Sequence, residues 1–185
     1  MSLLSLLRRH RLKLFELKRR PAGAGRLAGF VLDASPELIL MHRVDFDTFT
    51  LNGYTAIRCS DIAAFRSFGR HEYWQRRAVE HFGLVPVPVL GLPVGSFGEL
   101  LASKELAGRL VSVHRERMAA NVFFIGPVTS VAGGRLTMED LDRNAKWSGP
   151  RRIRLADVTR VDFADGYLRA LEATAPKRRA ALRKT

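Results

Sequence analysis

The feature that most constrains this chain is a short phrase that it contains twice. Residues 57–65 read IRCSDIAAF, and residues 153–161 read IRLADVTRV, at an offset of 96. The Ile-Arg pair, the Asp and the apolar residue after it recur in register. Self-similarity at a fixed offset indicates two copies of one structural unit. The sequence therefore predicts a fold built from two related halves.

The repeat extends upstream with small changes of offset. Such drift is expected if the loops between strands of conserved geometry gain or lose single residues. The further matched pairs, with offsets rising from 97 to 99, are Gly29 with Gly126, Leu38 with Leu136, Leu40 with Met138, Leu12 with Val111 and Leu14 with Val113.

Each copy has the pattern of short strands. Apolar residues roughly alternate within 27–33 and 37–44, and the turn formers Asn52-Gly53 and Ser148-Gly149-Pro150 predict turns before the next strands. The Asp of the repeated phrase predicts a tight turn, because its side chain can accept local backbone N–H bonds. A strand, one helical turn and a final strand are typical of the way small barrels of the SH3 and Sm type close.

The segment between the copies has helical character. We predict a helix over Arg70–Phe82 ended by Gly83, an extended connector VPVPVLGLPV, and a helix over Phe97–Leu106 opened by a Ser96/Glu99 capping box. A closing helix is expected around Tyr167–Leu171. The predicted fold class is mainly β with some α, two tandem five-stranded SH3/Sm-like barrels joined by a helical connector. The predicted segments are 1–68 (barrel with a leading basic segment), 69–109 (connector), 110–172 (second barrel) and 173–185 (basic tail).

The two copies resemble Sm-like barrels in tandem, as in uncharacterised bacterial proteins. The resemblance covers 11–68 and 110–165 and is carried by a Gly in the second strand, a Leu-x-Leu third strand and the Ile-Arg-x-x-Asp-Ile/Val closure. In that family a Gly follows the Arg, whereas this chain has Cys59 and Leu155. The resemblance implies a fold, and a fold does not fix a function.

Charge is concentrated at the two ends of the chain. The net charge is +13, of which residues 1–20 carry +6 and residues 174–185 carry +5. Basic ends of this kind attract polyanions such as RNA or anionic lipid. A second interpretation stays open, because 25 Arg against 6 Lys is also what a GC-rich genome produces.

Several function classes are disfavoured by the sequence. The single Cys59 excludes a disulfide framework and is expected to be a buried thiol. No Gly-x-Ser-x-Gly elbow is present and the five His lack metal-ligand spacing, so we expect no enzyme, metal or cofactor; His42, Asp45 and Asp47 are the nearest to a metal cluster. No apolar run reaches ~20 residues, and we expect a cytoplasmic protein whose N-terminal segment has at most peripheral contact with anionic membrane.

One stretch favours nucleic-acid binding. Between Arg143 and Arg160 a Trp lies among cations, and bases can stack on an exposed aromatic ring for ~1–3 kcal/mol each while cations neutralise phosphates. The alternative is that these Arg protect a sheet edge and that the Trp caps a barrel end. The candidate nucleic-acid-binding residues are Lys146, Trp147, Arg151, Arg152, Arg154, Lys177, Arg178 and Arg179.

Two functions follow as hypotheses. The first is a non-catalytic RNA-binding or ribosome-associated protein, which contacts single-stranded or ribosomal RNA through its basic termini and the Trp/Arg hairpin. The alternative is a protein-interaction or scaffold module that docks an acidic partner protein.

Overall fold

The computed structural model describes residues 12–68, 73–118 and 121–176. Within these ranges the chain forms eleven strands and three helices. The strands are β1 (Leu14–Arg19), β2 (Leu27–Ala34), β3 (Leu38–Asp45), β4 (Thr50–Arg58), β5 (Ile62–Ser67), β6 (Val111–His114), β7 (Phe123–Gly126), β8 (Val128–Ala132), β9 (Arg135–Leu141), β10 (Trp147–Arg154) and β11 (Arg160–Phe163). The helices are α1 (Trp74–His81), α2 (Phe97–Ala102) and α3 (Gly166–Thr174).

All the strands belong to one antiparallel sheet in the order β10-β9-β7-β6-β11-β4-β3-β2-β1-β5, and β8 also pairs with β9. The prediction of a mainly β fold with some helix is confirmed. The sheet is not closed into two five-stranded barrels, because the outer edge of β4 pairs with β11 of the other half. Strands β5 and β10 therefore lie at the two ends of the sheet.

The two halves share one strand order. In each half the last strand returns to pair antiparallel with the first, β5 with β1 and β11 with β6. A 3-10 turn precedes each returning strand, Cys59–Asp61 in the first half and Leu155–Asp157 in the second. Ile57 and Ile153 are both buried in the strand before the turn. The repeated phrase therefore has the same local structure in both halves.

The register of the first strand corrects the predicted repeat. Phe15 pairs with Gly29, and Val111 pairs with Gly126. Phe15 therefore corresponds to Val111 at an offset of 96, and Leu12, predicted as the match, lies before β1 with a φ of 62°. The apolar pattern LKLFEL fits the second copy in more than one register, and only the pairing decides between them.

The third strand is corrected in the same way. Ile39 lies opposite Ile57, and Leu136 lies opposite Ile153, so the offset is 97. Leu38, predicted to match Leu136, is the neighbour of Ile39 in the strand, so its side chain lies on the opposite face of the sheet from that of Ile39. Because β3 is buried on both faces, its continuous apolar run does not show which face each residue takes.

The predicted turns at Gly53 and Gly149 are displaced. Both residues lie inside strands, β4 and β10, and the hairpins bend earlier, at Phe49 and Ala145, whose φ values are 49° and 56°. Gly53 has a φ of 68°, and a Cβ there would lie 2.5 Å from the backbone N of Asp165. The glycine is needed for this close approach within a strand rather than for a turn.

The second strand of each half has a glycine at the same position, and the same steric requirement explains it in both halves. A Cβ on Gly29 would clash with the backbone O of His42, and a Cβ on Gly126 would clash with the backbone O of Glu139. His42 and Glu139 are themselves related by the offset of 97. Each glycine thus lets the second strand cross closely over the third.

The helices lie close to their predicted positions. Gly83, with a φ of 62°, follows α1, while residues 69–72 at the predicted start lie outside the described residues. At α2 the Ser96 hydroxyl accepts the Glu99 N–H at 3.2 Å, which confirms the cap, but the helix ends four residues before Leu106. None of the helices in the described ranges is long and apolar enough to cross a membrane.

The largest apolar cluster joins the two halves. It contains Leu40 of β3, Leu100 of α2, and Val111 and Val161 of the second half, all buried. Helix α2 packs against β8 and β9. The helical connector therefore contributes to a core that both halves share.

Candidate nucleic-acid interface

The hairpin between β9 and β10 carries the residues predicted to bind nucleic acid. Its turn is held by Asp142, whose Oδ1 accepts the backbone N–H groups of Asn144 and Lys146, both at 2.8 Å. This Asp-centred turn, rather than Ser148-Gly149-Pro150, is the tip of the hairpin. It leaves the Lys146 side chain exposed.

Trp147 is not an exposed stacking surface. Its ring is half-buried against the cluster of Leu141 and Leu171, and its Nε1 donates to the backbone O of Pro176 at 2.9 Å. The ring therefore packs against this cluster and against the backbone of Pro176. The contact also holds Pro176, the last described residue, beside the hairpin.

The tail begins at this point. Lys177 is bonded to Pro176, and Lys177, Arg178 and Arg179 themselves lie outside the described residues.

Two of the predicted arginines already have acidic partners. Arg151 donates to Asp140 at 2.8 Å, and its guanidinium lies 4.2 Å from the centroid of the Phe124 ring. Arg154 donates twice to Asp157, at 3.0 and 3.1 Å. The bonds to Arg154 lower the pKa of Asp157, and Arg115 adds to this effect.

The other cations of the hairpin remain available. All four are exposed and have no carboxylate within ion-pair distance in the described part of the chain: Arg135, Arg143, Lys146 and Arg152. Arg135 and Arg143 were not among the predicted residues. Both belong to the same hairpin as the predicted residues, so the pattern of strands and turns in the sequence could have identified them.

A buried ionic network that the sequence does not predict lies at the junction of the two halves. Arg19, at the end of β1, pairs with Glu116, and their side chains are 4% and 3% exposed. Glu116 also accepts a hydrogen bond from Thr159 at 3.2 Å and lies 3.7 Å from Arg160. Because Arg19 and Glu116 are 97 residues apart, no local sequence pattern predicts the ion pair.

The same network includes a buried histidine. His114 Nε2 lies 3.1 Å from Asp162 Oδ2, and Arg160 Nη2 lies 3.0 Å from both ring nitrogens of His114. Burial lowers the pKa of His114 although Asp162 opposes it. Burial alone would raise the pKa of Asp162, but Arg160 and the His114 hydrogen bond outweigh it and hold that pKa well below its ordinary range.

A cleft opens beside this network. It has a volume of about 270 Å³ and is lined by Arg19, Glu116, His114 and Phe123 together with the loop at Gly23–Gly25. Arg160 also lines the cleft. Both Arg19 and Arg160 lie within ion-pair distance of Glu116.

The repeated arginine differs between the halves. Arg58 reaches across the junction, where its Nε donates to the backbone O of Val158 at 3.1 Å and its Nη2 to that of Leu155 at 2.9 Å. Its equivalent, Arg154, lies on the outer strand β10 and bonds Asp157 of its own half. Arg58 thus joins the two halves, whereas Arg154, whose strand has no outer neighbour among the described strands, bonds within its own half.

The polar residues weighed for chemistry have structural partners. His42 Nδ1 accepts the Val87 N–H at 3.1 Å, and Asp45 Oδ1 accepts the N–H groups of Asp47 and Thr48 within a turn. Within the described ranges no group of three or more His, Cys, Asp or Glu is placed to hold a metal.

The single thiol is half-buried. Cys59 Sγ lies 3.4 Å from the backbone O of Ser35, and burial, with a smaller contribution from Glu37, raises the pKa of Cys59 to about 11. At neutral pH the group is therefore a thiol rather than a thiolate.

Comparisons of the chain with protein-family models, with curated proteins and with solved structures give no match.

Proposed function

We propose that this protein binds single-stranded RNA, including ribosomal RNA, without catalysis, through the β9–β10 hairpin and the basic tail that starts beside it. The observation that carries the proposal is the set of exposed, unpaired cations on one hairpin, next to the residue from which the tail departs. Cations arranged in this way neutralise backbone phosphates.

The binding mode is electrostatic rather than aromatic. Because Trp147 is engaged with Pro176 and with the apolar cluster, bases have little access to its ring. Contacts with phosphates carry little sequence information. The log of the binding constant falls by about 0.7 per phosphate for each unit of log salt, so the four hairpin cations should contribute roughly −3 to the slope.

Fluorescence anisotropy with labelled single-stranded RNA of mixed sequence tests this. The combined variant Arg135→Glu, Arg143→Glu, Arg152→Glu should bind about tenfold or more weakly at 100 mM salt, with a shallower salt slope. Lys104→Glu, an equal change of sign at one exposed residue of the connector, is the control and should have a much smaller effect. Trp147→Phe should retain most of the affinity.

Two outcomes contradict the proposal. One is the absence of binding at low salt by the full-length protein. The other is a triple variant that binds as tightly as the original chain. A large loss in Trp147→Leu with normal folding would instead indicate stacking, because Leu removes the aromatic ring.

The alternative function, a scaffold that docks an acidic partner, has one favouring observation. The connector exposes Val85, Val87 and Leu90, and Leu90 is 86% exposed. Leu90 lines a mainly apolar cleft of about 500 Å³, whose lining also contains Arg109 and Glu105. Exposed apolar groups beside a cation suit a protein partner better than RNA.

The two functions are separable by experiment. A partner that binds after nuclease treatment and after removal of residues 174–185, and is lost in Leu90→Ser, favours the scaffold. RNA binding that Leu90→Ser leaves unchanged favours the first proposal.

We also propose that each half is an Sm-like unit. The shared strand order, the 3-10 turn before the last strand and the glycine in the second strand support this. Backbone NOEs between Leu17 and Phe65 and between Val113 and Val161 are expected from the pairing of first and last strands. Their absence would contradict the assignment.

A further inference from the structure

The mainly apolar cleft of about 500 Å³ lies between the junction strands and the connector. Its lining includes Tyr54 of β4 and Phe163 of β11, which lie opposite each other in the sheet, and Val89 and Leu90 of the connector. Both halves and the connector therefore contribute to one cavity. Its volume falls within the range of about 300–1,000 Å³ that is usual for small-molecule sites.

The aromatic wall of this cleft is fixed by stacking. The Tyr54 ring stacks on two others, with centroid distances of 4.4 Å to His42 and 5.3 Å to Phe163 and interplanar angles of 20° and 18°. The three residues are neighbours across β3, β4 and β11. The position of the Tyr54 ring is therefore set before a ligand binds, which lowers the entropy that binding costs.

The connector wall of the cleft is fixed as well. His42 Nδ1 accepts the Val87 N–H at 3.1 Å, and Leu92 is buried in the largest apolar cluster, against which Val89 also packs. Leu90 lies between these attachments and is nevertheless 86% exposed. An apolar side chain that is held in solvent beside an apolar cleft can cover an apolar ligand.

Two opposite charges line the cleft and do not pair with each other. Arg109 and Glu105 both belong to the lining, and within the described ranges neither has an ion-pair partner. A Cβ on Gly91 would lie 3.0 Å from Glu105 Oε1, so the carboxylate lies against the connector backbone. The Tyr54 hydroxyl likewise has no hydrogen-bond partner among the described residues. The cleft therefore offers a cation, an anion and a hydroxyl beside an apolar surface.

We propose that this cleft binds a short apolar peptide with free ends, of dipeptide size. Its apolar side chains enter the cleft, its carboxylate pairs with Arg109, and its ammonium group pairs with Glu105. A dipeptide fits better than a single amino acid, because Arg109 and Glu105 lie beyond ion-pair distance of each other, whereas both charges of an amino acid are attached to one carbon. The Tyr54 hydroxyl can bond the peptide group, since a phenol both donates and accepts.

NMR chemical-shift titration of the full-length, nuclease-treated protein with leucyl-leucine tests the proposal. We expect saturable shifts with a Kd of about 0.1–1 mM for a ligand of about 17 non-hydrogen atoms. Alanyl-alanine should bind at least about tenfold more weakly, because each buried methylene strengthens binding roughly fourfold. N-acetyl-leucyl-leucine and leucyl-leucine amide each lack one charge and should bind about fivefold more weakly than the free dipeptide.

Paired changes in protein and ligand assign each charge. Arg109→Gln should weaken the binding of leucyl-leucine about fivefold and should not weaken that of its amide, which has no carboxylate for Arg109 to contact. Glu105→Gln should in the same way weaken leucyl-leucine but not its N-acetyl form. Arg152→Gln, an equal loss of charge outside the cleft, is the control and should bind as the original chain does. Far-UV circular dichroism shows whether the variants fold.

The proposal fails if leucyl-leucine gives no saturable shifts up to about 10 mM. It also fails if the capped dipeptides bind as tightly as the free one, which would instead indicate an internal segment of a partner protein. A third contradiction is an Arg109→Gln variant that binds leucyl-leucine as the original chain does. These outcomes are independent of RNA binding, because Arg109 and Glu105 are not among the hairpin cations.

Discussion

Replacing Arg19 with Ala should destabilise the protein more than any other single charge removal at the junction. The Arg19 side chain is 4% exposed and its partner Glu116 is 3% exposed, so the substitution leaves a buried carboxylate without its closest cation. Breaking a buried pair costs about 3–5 kcal/mol. Because Arg160 and Thr159 still contact Glu116, we expect the lower end, about 3 kcal/mol.

Urea denaturation at pH 7.5 measures this loss, which corresponds to a fall in Tm of about 6–12 °C for a chain of this size. Arg26→Ala is the matched control, since Arg26 pairs with Glu16 but is 60% exposed. The control should cost about 0–1 kcal/mol. The double replacement Arg19→Met, Glu116→Leu should recover most of the stability, because it leaves no unpaired buried charge.

The reasoning is refuted if Arg19→Ala costs no more than Arg26→Ala. It is also refuted if the double replacement is less stable than Arg19→Ala alone, since that would mean that the ion pair itself, rather than the orphaned carboxylate, determines the loss.

Three further predictions concern the same fold. Gly29→Ala and Gly126→Ala should each lower the free energy of unfolding by about 2 kcal/mol or more, because the added Cβ meets a backbone oxygen in both halves. Denaturation midpoints measure this loss, and an unchanged midpoint in either variant would contradict the close crossing of the second and third strands. The rate of Cys59 alkylation by iodoacetamide should rise with a pKa near 11, because at pH 8 about 100-fold less thiolate is present than for a thiol of pKa 9. Alkylation rates that level off below pH 9 would contradict this. Stability should fall as the pH drops below 6.5, because His114 has a lowered pKa in the folded protein and is therefore protonated more readily in the unfolded chain. Asp162, whose pKa is also lowered by folding, adds a further loss below pH 4. A urea midpoint that does not change between pH 7.5 and 5.5 would contradict the effect of His114.

The repeated phrase was sufficient to predict two related halves, because the Ile-Arg-x-x-Asp pattern encodes a strand end, a tight turn and a return to the core. The start of helix α2 was likewise predicted from its Ser96/Glu99 cap. These features are local, so the sequence contains the whole of their physical cause.

The rest depended on contacts between distant residues. Whether β4 closes onto β5 or pairs with β11 depends on long-range geometry that no short pattern records. The state of Trp147 depended on Pro176, 29 residues away, and the Arg19 and Glu116 pair spans the two halves. Exposure of an aromatic residue in a basic stretch was therefore not predictable from composition.

Residue-resolved hydrogen exchange on the protein at low concentration tests the central claim, that two copies of one unit share a sheet through β4 and β11. The Arg58 N–H donates to Thr159 at this junction, while the Arg154 N–H is its equivalent on an open edge. We predict strong protection of the Arg58 amide and fast exchange of the Arg154 amide. Equal exchange at the two positions would contradict the shared sheet.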